Sequence, residues 1–268
     1  MRRILATVLI LCVMGLLPAG ALSEDFRVGM ECDYAPFNWT QSDASETGVP
    51  IESGGFADGY DVQIAVRIAE GLNRNLVIVK TDWDGLPLAV MSGQIDAIIA
   101  GMSPTAERSV TIDFSDAYYT SDLVIVVRAD SPYAGAAALQ DFAGANITGQ
   151  LNTFHYSVID QIEGVNRQNA METFPAMIIA LMAGTIDGYI SERPGAVSAM
   201  AAYPELTFIS FAENEGFQAS PEDVAIAVGL IKGSDLREPI NSILSEISYE
   251  QRVVMMDEAV SRQPLGED

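Results

Sequence analysis

The spacing of apolar and polar positions predicts alternating strands and helices. "FRVGM" (26–30) and "NLVIVK" (75–80) are short apolar runs typical of buried strands. Between them, apolar residues recur every three or four positions in "DGYDVQIAVRIAEGLN", which is typical of a helix with one buried face. A short helix over Leu86 to Met91 and the strand "DAIIAG" complete a βαβαβ order. This order indicates a mainly parallel sheet covered by helices.

The second half of the chain repeats this plan. It predicts a strand at "NITGQ", a helix from Phe154, a strand near "NAMETF", a helix at "AMIIALMAG", a strand at "DGYIS" and a helix from Pro194. The pattern therefore predicts two α/β lobes. The polar, Gly-rich stretch at residues 42–59 is interpreted as a surface loop inserted in the first lobe.

A short piece of sequence occurs twice. "MSGQIDAIIAGMS" (91–103) shares five residues with "MAGTIDGYISERP" (182–194), all at an offset of 91 positions. Each copy predicts a helix end, a Gly turn and a buried strand, and ligands of open α/β sheets bind beyond the carboxyl ends of such strands. We expect the two strand ends to face each other across a cleft between the lobes. The simpler alternative is a chance likeness between two α/β units.

The N-terminus reads as a cleaved signal peptide over residues 1–21, because two arginines precede an apolar run (4–17) and small residues including Ala21. A membrane anchor is the weaker alternative, since the run is shorter than the roughly 20 residues that span a bilayer. Bulky residues before Cys12 disfavour a lipoprotein signal. Cys32 alone then remains, so no intrachain disulfide is expected.

The charge of the chain is strongly negative. Without the two N-terminal arginines, 12 basic residues face 37 acidic ones, a formal charge of −25. This balance disfavours nucleic acid or an anionic membrane as a partner and favours the approach of cations. The alternative is that acidity serves only the solubility of an exported protein.

The two repeated strands lead into different chemistry. The first runs into "GMSPTAER", which offers backbone amides around Gly101, the Ser103 hydroxyl and Arg108, while the second runs into "SERP", which offers Glu192. Arginine forms bidentate, charge-assisted pairs with carboxylates. One strand end suits a carboxylate and the other an ammonium, so together they suit a free amino acid.

Five stretches resemble a known family. They are "YAPFNW" (34–39), "GYDVQIA" (59–65), "DWDGLPLAVMSGQIDAIIAGMSPTAERSVTIDFSDAYY" (82–119), "GQLNTF" (149–154) and "GTIDGYISERP" (184–194). The chain resembles the family 3 extracellular solute-binding proteins, the polar amino-acid receptors of ABC importers that include lysine/arginine/ornithine- and histidine-binding proteins. The likeness covers essentially the whole mature chain.

The resemblance implies a two-lobed α/β fold, the type II periplasmic-binding-protein fold, with two Rossmann-like lobes and the ligand in the cleft. Lobe 1 is expected at residues 24–120 plus 216–268, and lobe 2 at residues 123–212. The two hinge segments are expected at about residues 120–123 and 212–218.

The resemblance also implies residue roles at the ligand's head group. Arg108, Ser103, Gly101 and Thr153 are expected to hold the ligand carboxylate, and Glu192, where the family usually has Asp, the ammonium. The alternatives are local ones. Arg108 is then a solvated helix-end cation, Ser103 and Thr153 are helix-start residues, and Glu192 is a solvated acid beside an arginine.

For the ligand side chain, the resemblance implies Glu31, Tyr34 and Trp83. Glu31 stands where basic amino-acid receptors of the family carry an acid for the distal cation, with Asp33 as a competitor. Tyr34 and Trp83 are expected as two aromatic walls, since an aromatic face attracts a cation. The alternatives are core packing for the two rings and a solvated strand end for Glu31.

The predicted function is that of an exported, periplasmic receptor that captures an arginine- or lysine-like L-amino acid and delivers it to the permease of an ABC importer. It is expected to be a monomer without cofactor or metal. Ornithine, histidine and glutamine remain open as ligands. The alternatives are a cyclohexadienyl or arogenate dehydratase on the same fold and the ectodomain of a membrane receptor. His155 is interpreted as a helix-start residue and Cys32 as a buried thiol.

Overall fold

The computed structural model describes residues 24–212 and 215–264, so the predicted signal peptide lies outside the described residues. The strands of this part are β1 (Asp25–Met30), β2 (Asp33–Tyr34), β3 (Asn38–Gln41), β4 (Val49–Pro50), β5 (Phe56–Asp58), β6 (Asn75–Lys80), β7 (Ala97–Ile98), β8 (Ile112–Thr120), β9 (Leu123–Arg128), β10 (Asn146–Thr148), β11 (Asn166–Arg167), β12 (Gly188–Glu192), β13 (Leu206–Ile209) and β14 (Ala225–Ile231). The helices are α1 (Tyr60–Gly71), α2 (Leu86–Met91), α3 (Phe154–Ser157), α4 (Phe174–Met182), α5 (Arg193–Ala202), α6 (Arg237–Ser245) and α7 (Tyr249–Arg262). Single 3-10 turns lie at Trp83–Gly85, Arg108–Val110, Leu139–Phe142 and Val158–Gln161.

Two five-stranded sheets form the centres of two lobes. The first has the order β6-β1-β7-β14-β8 and the second the order β11-β10-β12-β9-β13. In each sheet the repeated strand, β7 or β12, pairs in parallel with the strand that opens the unit, β1 or β10. The carboxyl ends of β1 and β7 therefore lie together, as do those of β10 and β12.

The chain passes between the two sheets twice. It leaves the first sheet after β8 and enters the second at β9, and it returns between β13 and β14. After β14, α6 packs against β8, while α7 packs against α1 and also against α5. The C-terminal helix thus contacts elements that belong to both sheets. The exact lobe and hinge boundaries stay a prediction.

The repeated pieces have the same local architecture. Asp96 accepts a hydrogen bond from the backbone N–H of Arg27 at 2.8 Å, and Asp187 accepts the equivalent bond from Asn146, also at 2.8 Å. In each lobe the aspartate returns the bond, because its own N–H donates to the carbonyl of the same partner. The repeated Asp therefore anchors each repeated strand to its neighbour.

The helices before these strands also match. At the offset of 91 positions, Leu88 corresponds to Ile179, and both side chains are 68% exposed. Two residues after the end of each helix lies a glycine with positive φ, Gly93 at 73° and Gly184 at 70°. Residues other than glycine adopt this conformation at a cost. The repeat is therefore structural and is not a chance likeness.

The stretch at residues 42–59 differs from the predicted surface loop. It contains β4 and β5, which join β2 and β3 in a four-stranded sheet of order β2-β3-β5-β4. Asp58, at the end of β5, is buried and accepts hydrogen bonds from Ser45 and Thr47. Pairing with β3 satisfies the backbone of this polar stretch, which its composition does not reveal.

Two further predictions of the second lobe need correction. The strand expected near "NAMETF" lies earlier, at Asn166–Arg167, and Met171 contributes only an isolated bridge to Gln150. The helix from Phe154 is a single turn that continues as a 3-10 turn. Among the described residues, none of the helices has the length and apolar character needed to cross a membrane.

Candidate functional site

The ends of β1 and β10 meet across the interface between the lobes. Glu31 follows β1 directly, and Gln150 lies two residues after β10. The Gln150 side-chain amide donates to both carboxylate oxygens of Glu31, at 3.2 and 3.3 Å. Burial raises the pKa of Glu31 to about 7, an effect that the bond from Gln150 opposes. The two lobes are therefore closed on each other at this point.

A cavity of about 10 Å³, here called the inner cavity, lies beside this contact. It is lined by Tyr34, Trp83, Gly101, Ser103, Arg108, Gln150, Thr153, Phe154, His155 and Glu192. All five residues predicted to hold an amino-acid head group are among them, and they come from both lobes. The structure thus brings the predicted head-group residues together.

Arg108 projects from a 3-10 turn after the repeated strand of the first lobe. Its guanidinium donates to the carbonyl oxygens of Ser103, at 3.0 Å, and of Asn152, at 3.1 Å. Its Cζ lies 5.0 Å from the centre of the Trp83 ring. Burial lowers the pKa of Arg108 to about 10, so the side chain is a cation at neutral pH. It is held rigidly enough to bind an anion in the inner cavity.

Glu192, at the end of β12, has two side-chain partners. His155 Nε2 lies 3.0 Å from its Oε1, and the Tyr34 hydroxyl donates to its Oε2. Burial alone would raise the pKa of Glu192, but His155 and the Tyr34 hydroxyl outweigh it and hold the pKa below its usual range. Glu192 is therefore an ionised carboxylate on the wall of the inner cavity.

The donors expected at Gly101 and Thr153 have protein partners in this closed state. The Gly101 N–H donates to the Tyr118 hydroxyl at 3.3 Å, and that hydroxyl donates to Asp61 at 2.8 Å. The Thr153 hydroxyl donates to the carbonyl of Gln150 at 2.7 Å. A ligand carboxylate would share or replace these bonds, and the assignment of these residues stays a prediction.

The two predicted aromatic walls both line the inner cavity, and each contacts a side chain of the protein. The Tyr34 ring stacks on Phe174, with centroids 4.1 Å apart and planes at 10°, while Trp83 faces Arg108. Phe174 is the counterpart of Trp83 at the offset of 91 positions. The repeat in the sequence indicates this second ring, but Phe174 was not among the predicted site residues.

A second cavity, of about 210 Å³, lies on the other side of Trp83. We call it the acidic cavity, since its lining includes Glu31, Asp33, Asp82, Asp84 and Glu172. Glu31 is only 6% exposed, whereas the other four carboxylates are more open to solvent. Trp83 lines both cavities, so the two are neighbours. The inner cavity therefore offers one cation and one anion, Arg108 and Glu192, to a ligand. The acidic cavity offers a space that attracts cations.

Several side chains of the site were not singled out from the sequence. Gln150, Asp82, Asp84 and Glu172 were missed, and His155 was interpreted as a helix-start residue. His155 does lie in the first turn of α3, but it is 8% exposed and contacts Glu192. Within residues 24–212 and 215–264, no group of three or more His, Cys, Asp or Glu side chains is arranged to hold a metal ion.

The chain matches a family of known proteins along most of its length. The family described as bacterial extracellular solute-binding proteins, family 3, matches residues 26–257. The chain belongs to this family. The membership identifies a solute-binding protein and not an enzyme, and it agrees with the two-lobed fold.

Individual relatives of this solute-binding protein share about a quarter of its residues. The arginine-binding extracellular protein ArtP of Bacillus subtilis is 27% identical over 82% of this chain and 79% of its own length. A probable histidine-binding protein of Campylobacter jejuni is 28% identical over 82% of this chain and 78% of its own. A substrate-binding protein of an amino-acid ABC transporter from Streptococcus pneumoniae, solved with L-arginine, superposes with a TM-score of 0.77 at 25% identity, covering 88% of this chain and 94% of its own.

Proposed function

We propose that the protein is the periplasmic receptor of an amino-acid ABC importer, and that it captures a cationic L-amino acid, with L-arginine as the first candidate. It then delivers the ligand to the membrane permease and acts as a monomer. The relatives named for arginine support the ligand class. The observation that carries the proposal is the acidic cavity next to the inner cavity.

The two cavities match the two ends of arginine. In the proposed complex, Arg108 binds the α-carboxylate and Glu192 the α-ammonium, and both side chains line the inner cavity. Trp83 separates this head group from the acidic cavity, where Glu31 is the buried carboxylate available to the guanidinium. A cation near the Trp83 face gains about 0.5 to 2 kcal/mol. The inner cavity is smaller than an amino acid, so the ligand enters with the lobes apart and the cavity is wider in the complex.

A neutral polar ligand such as glutamine is the second candidate. With its pKa raised to about 7, Glu31 carries a proton for part of the time at neutral pH, and a protonated carboxyl suits an amide. An ancestral arginine-binding protein solved with glutamine, at 25% identity and a TM-score of 0.72, supports keeping this candidate.

A thermal-shift screen against the twenty amino acids and ornithine tests the proposal. The protein is first unfolded and refolded to remove any ligand from the expression host. We expect L-arginine and L-lysine to give the largest rise in Tm, because a ligand at 100 times its Kd stabilises by about 2.7 kcal/mol. L-Citrulline, the neutral analogue of arginine, is the matched control.

Calorimetry then gives the affinities of L-arginine, L-citrulline and L-glutamine. Tighter binding of citrulline or glutamine than of arginine would overturn the cationic ligand and leave the second candidate. A complete lack of amino-acid binding would refute the proposal that the protein is an amino-acid receptor.

A further inference from the structure

His155 has one buried nitrogen that the protein leaves without a partner. The side chain is 8% exposed and lines the inner cavity together with Arg108 and Glu192. Its Nε2 lies 3.0 Å from Glu192 Oε1, but its Nδ1 has no hydrogen-bond partner among the described residues. A buried polar atom without a partner destabilises the protein, because it has given up its hydrogen bonds to water. Such an atom in a binding cavity calls for a ligand group.

The surroundings determine what kind of group Nδ1 would meet. The carboxylate of Glu192 takes the Nε2–H of the imidazole, so in the neutral ring Nδ1 carries the lone pair and is an acceptor. The Phe174 ring stands edge-on to the imidazole, with centroids 6.0 Å apart, and offers no polar partner. Besides His155, the ionisable side chains that line the cavity are Glu192, Arg108 and Tyr34. Of these, Arg108 is the group that suits a carboxylate, which leaves the ammonium for His155.

We propose that His155 contacts the ligand directly, with Nδ1 accepting an N–H of the α-ammonium group beside the Glu192 carboxylate. The inference rests on the proposed function and adds a specificity-determining residue to its head-group site. Protonation of Nδ1 would place a second cation against the ammonium. Ligand binding and protonation of His155 therefore exclude each other, and by linkage the bound ligand lowers the pKa of the imidazole.

His155 is the only histidine of the chain, so its imidazole signals in NMR spectra do not overlap with those of another histidine. Long-range ¹H–¹⁵N spectra are recorded from pH 5 to 9 with and without saturating L-arginine. We expect L-arginine to lower the imidazole pKa by about one unit or more, equivalent to a tenfold or greater preference for the neutral ring. An unchanged or raised pKa overturns the proposal, since a raised value means that an imidazolium donates to the ligand carboxylate.

Glu31 titrates in the same pH range, so the experiment is repeated in Glu31→Gln. The shift of the His155 resonance should persist in that variant, because Glu31 contacts Gln150 and not the imidazole. If the shift disappears with Glu31, the coupling runs through the acidic cavity and the proposal is wrong.

Two substitutions separate a ligand contact from a structural role. His155→Gln keeps an N–H donor for Glu192 but has no acceptor at the Nδ1 position, whereas His155→Asn places an acceptor near that position. We expect His155→Gln to weaken L-arginine binding about tenfold or more at pH 8, and His155→Asn to bind more tightly than His155→Gln. The ligand 5-guanidinopentanoate lacks the α-ammonium, so His155→Gln should not weaken its binding.

Circular dichroism and thermal unfolding confirm that the variants are folded. An equal loss for both ligands would indicate a general disturbance of the site and overturn the contact. If His155→Gln bound L-arginine as tightly as His155→Asn or more tightly, His155 would only position Glu192, and the contact would be overturned as well. Wild-type protein that binds L-arginine with an unshifted imidazole refutes this inference only. Wild-type protein that binds no amino acid refutes the proposed function instead.

Discussion

Arg108 and Glu192 place opposite charges on the wall of one small cavity. Glu192 is buried and Arg108 is half-buried. Each has partners that fix its side chain, namely Ser103 and Asn152 for Arg108, and His155 and Tyr34 for Glu192. Fixed partners matter, since a side chain that is already ordered loses little entropy when a ligand arrives. At the scale of single residues, the inner cavity therefore offers one ordered cation and one ordered anion.

Arg108→Ala should weaken every amino-acid ligand alike, because the carboxylate is the group that all of them share. Loss of one partner of a buried charge pair typically costs about 2 to 5 kcal/mol. Calorimetry with L-arginine, L-lysine and L-glutamine measures the effect. Arg167→Ala, an arginine whose Cζ lies 4.1 Å from the Tyr156 ring centre, is the matched control. Affinity within threefold of wild type would exclude Arg108 as the anchor.

Glu31 should make arginine binding dependent on pH. Its ligand-free pKa of about 7 lies above the usual 4.5, so the free protein holds a proton that a guanidinium would displace. Affinity for L-arginine should therefore rise by up to about tenfold per pH unit as pH approaches 7 and level off above it. The stability of the ligand-free protein depends on pH in the opposite direction. The raised pKa favours folding below pH 4.5, and this contribution is lost as pH rises through 7.

Glu31→Gln is the matched variant for this prediction. It should weaken L-arginine by about 1 to 3 kcal/mol at pH 8, weaken L-citrulline less, and remove proton release in calorimetry that compares two buffers. A wild type whose arginine affinity is flat from pH 5 to 8 would place the guanidinium away from Glu31.

At the scale of elements, the repeat builds two equivalent helix-turn-strand units. Trp83 and Phe174 precede the core of each unit, and Asp96 and Asp187 tie the following strand to its neighbour. The two aromatic rings consequently reach the same cleft from opposite lobes, with Trp83 against Arg108 and Phe174 against Tyr34. The doubled sequence therefore positions both sides of the site.

Asp96→Ala and Asp187→Ala should each reduce stability and leave ligand affinity within about twofold of wild type. Each removes the acceptor of a backbone N–H next to a buried strand, which costs about 1 to 3 kcal/mol. Urea unfolding measures the loss, and the Asn variants, which keep an acceptor oxygen, should lose less. Asp43→Ala, on an exposed loop, is the control. Equal stability of Asp96→Ala and Asp43→Ala would refute the anchoring role.

At the scale of the whole molecule, the lobes are joined by contacts on both sides of the site. Asn152 Nδ2 donates to Asp84 at 2.9 Å beside the acidic cavity. Elsewhere, Gln263, just after α7, donates to the carbonyl of Ser198 in α5 at 2.9 Å. These bonds favour the closed arrangement, in which the acidic cavity and the inner cavity take the form described.

Asn152→Gly should speed the release of L-arginine by about two- to tenfold, because it removes one hydrogen bond across the cleft. Glycine retains the positive φ of this residue, 54°, so the backbone is not strained. Asn73→Gly, at a turn with φ of 52°, is the control. Stopped-flow fluorescence reports the rate, since Trp83 lines the cleft. An unchanged release rate would show that this bond does not hold the lobes together.

The sequence predicted most elements and the five head-group residues of the inner cavity, but not the places of Gln150 and His155 in that cavity. Strands such as β1 and β6 and the helices α1 and α2 follow from periods of two and 3.6 residues, which are local properties. Arg108, Glu192 and Thr153 were assigned through the family resemblance. β4 and β5 were missed because short polar strands owe their formation to pairing with β3 and with each other, and no local period records that pairing.

By itself, the sequence determined the order of the elements, the duplication, the excess of acidic residues and the two strand ends where a ligand would bind. Only the tertiary structure decided which side chains of the site contact each other. Tyr34 reaches Glu192 across 158 positions, and Glu31 reaches Gln150 across 119. Hydrogen bonds depend on distance in space, and that distance is determined by how the two lobes close on each other. In the sequence, His155 is therefore indistinguishable from an ordinary helix-start residue. Only the folded structure places it against Glu192, with Nδ1 free of a hydrogen-bond partner among the described residues.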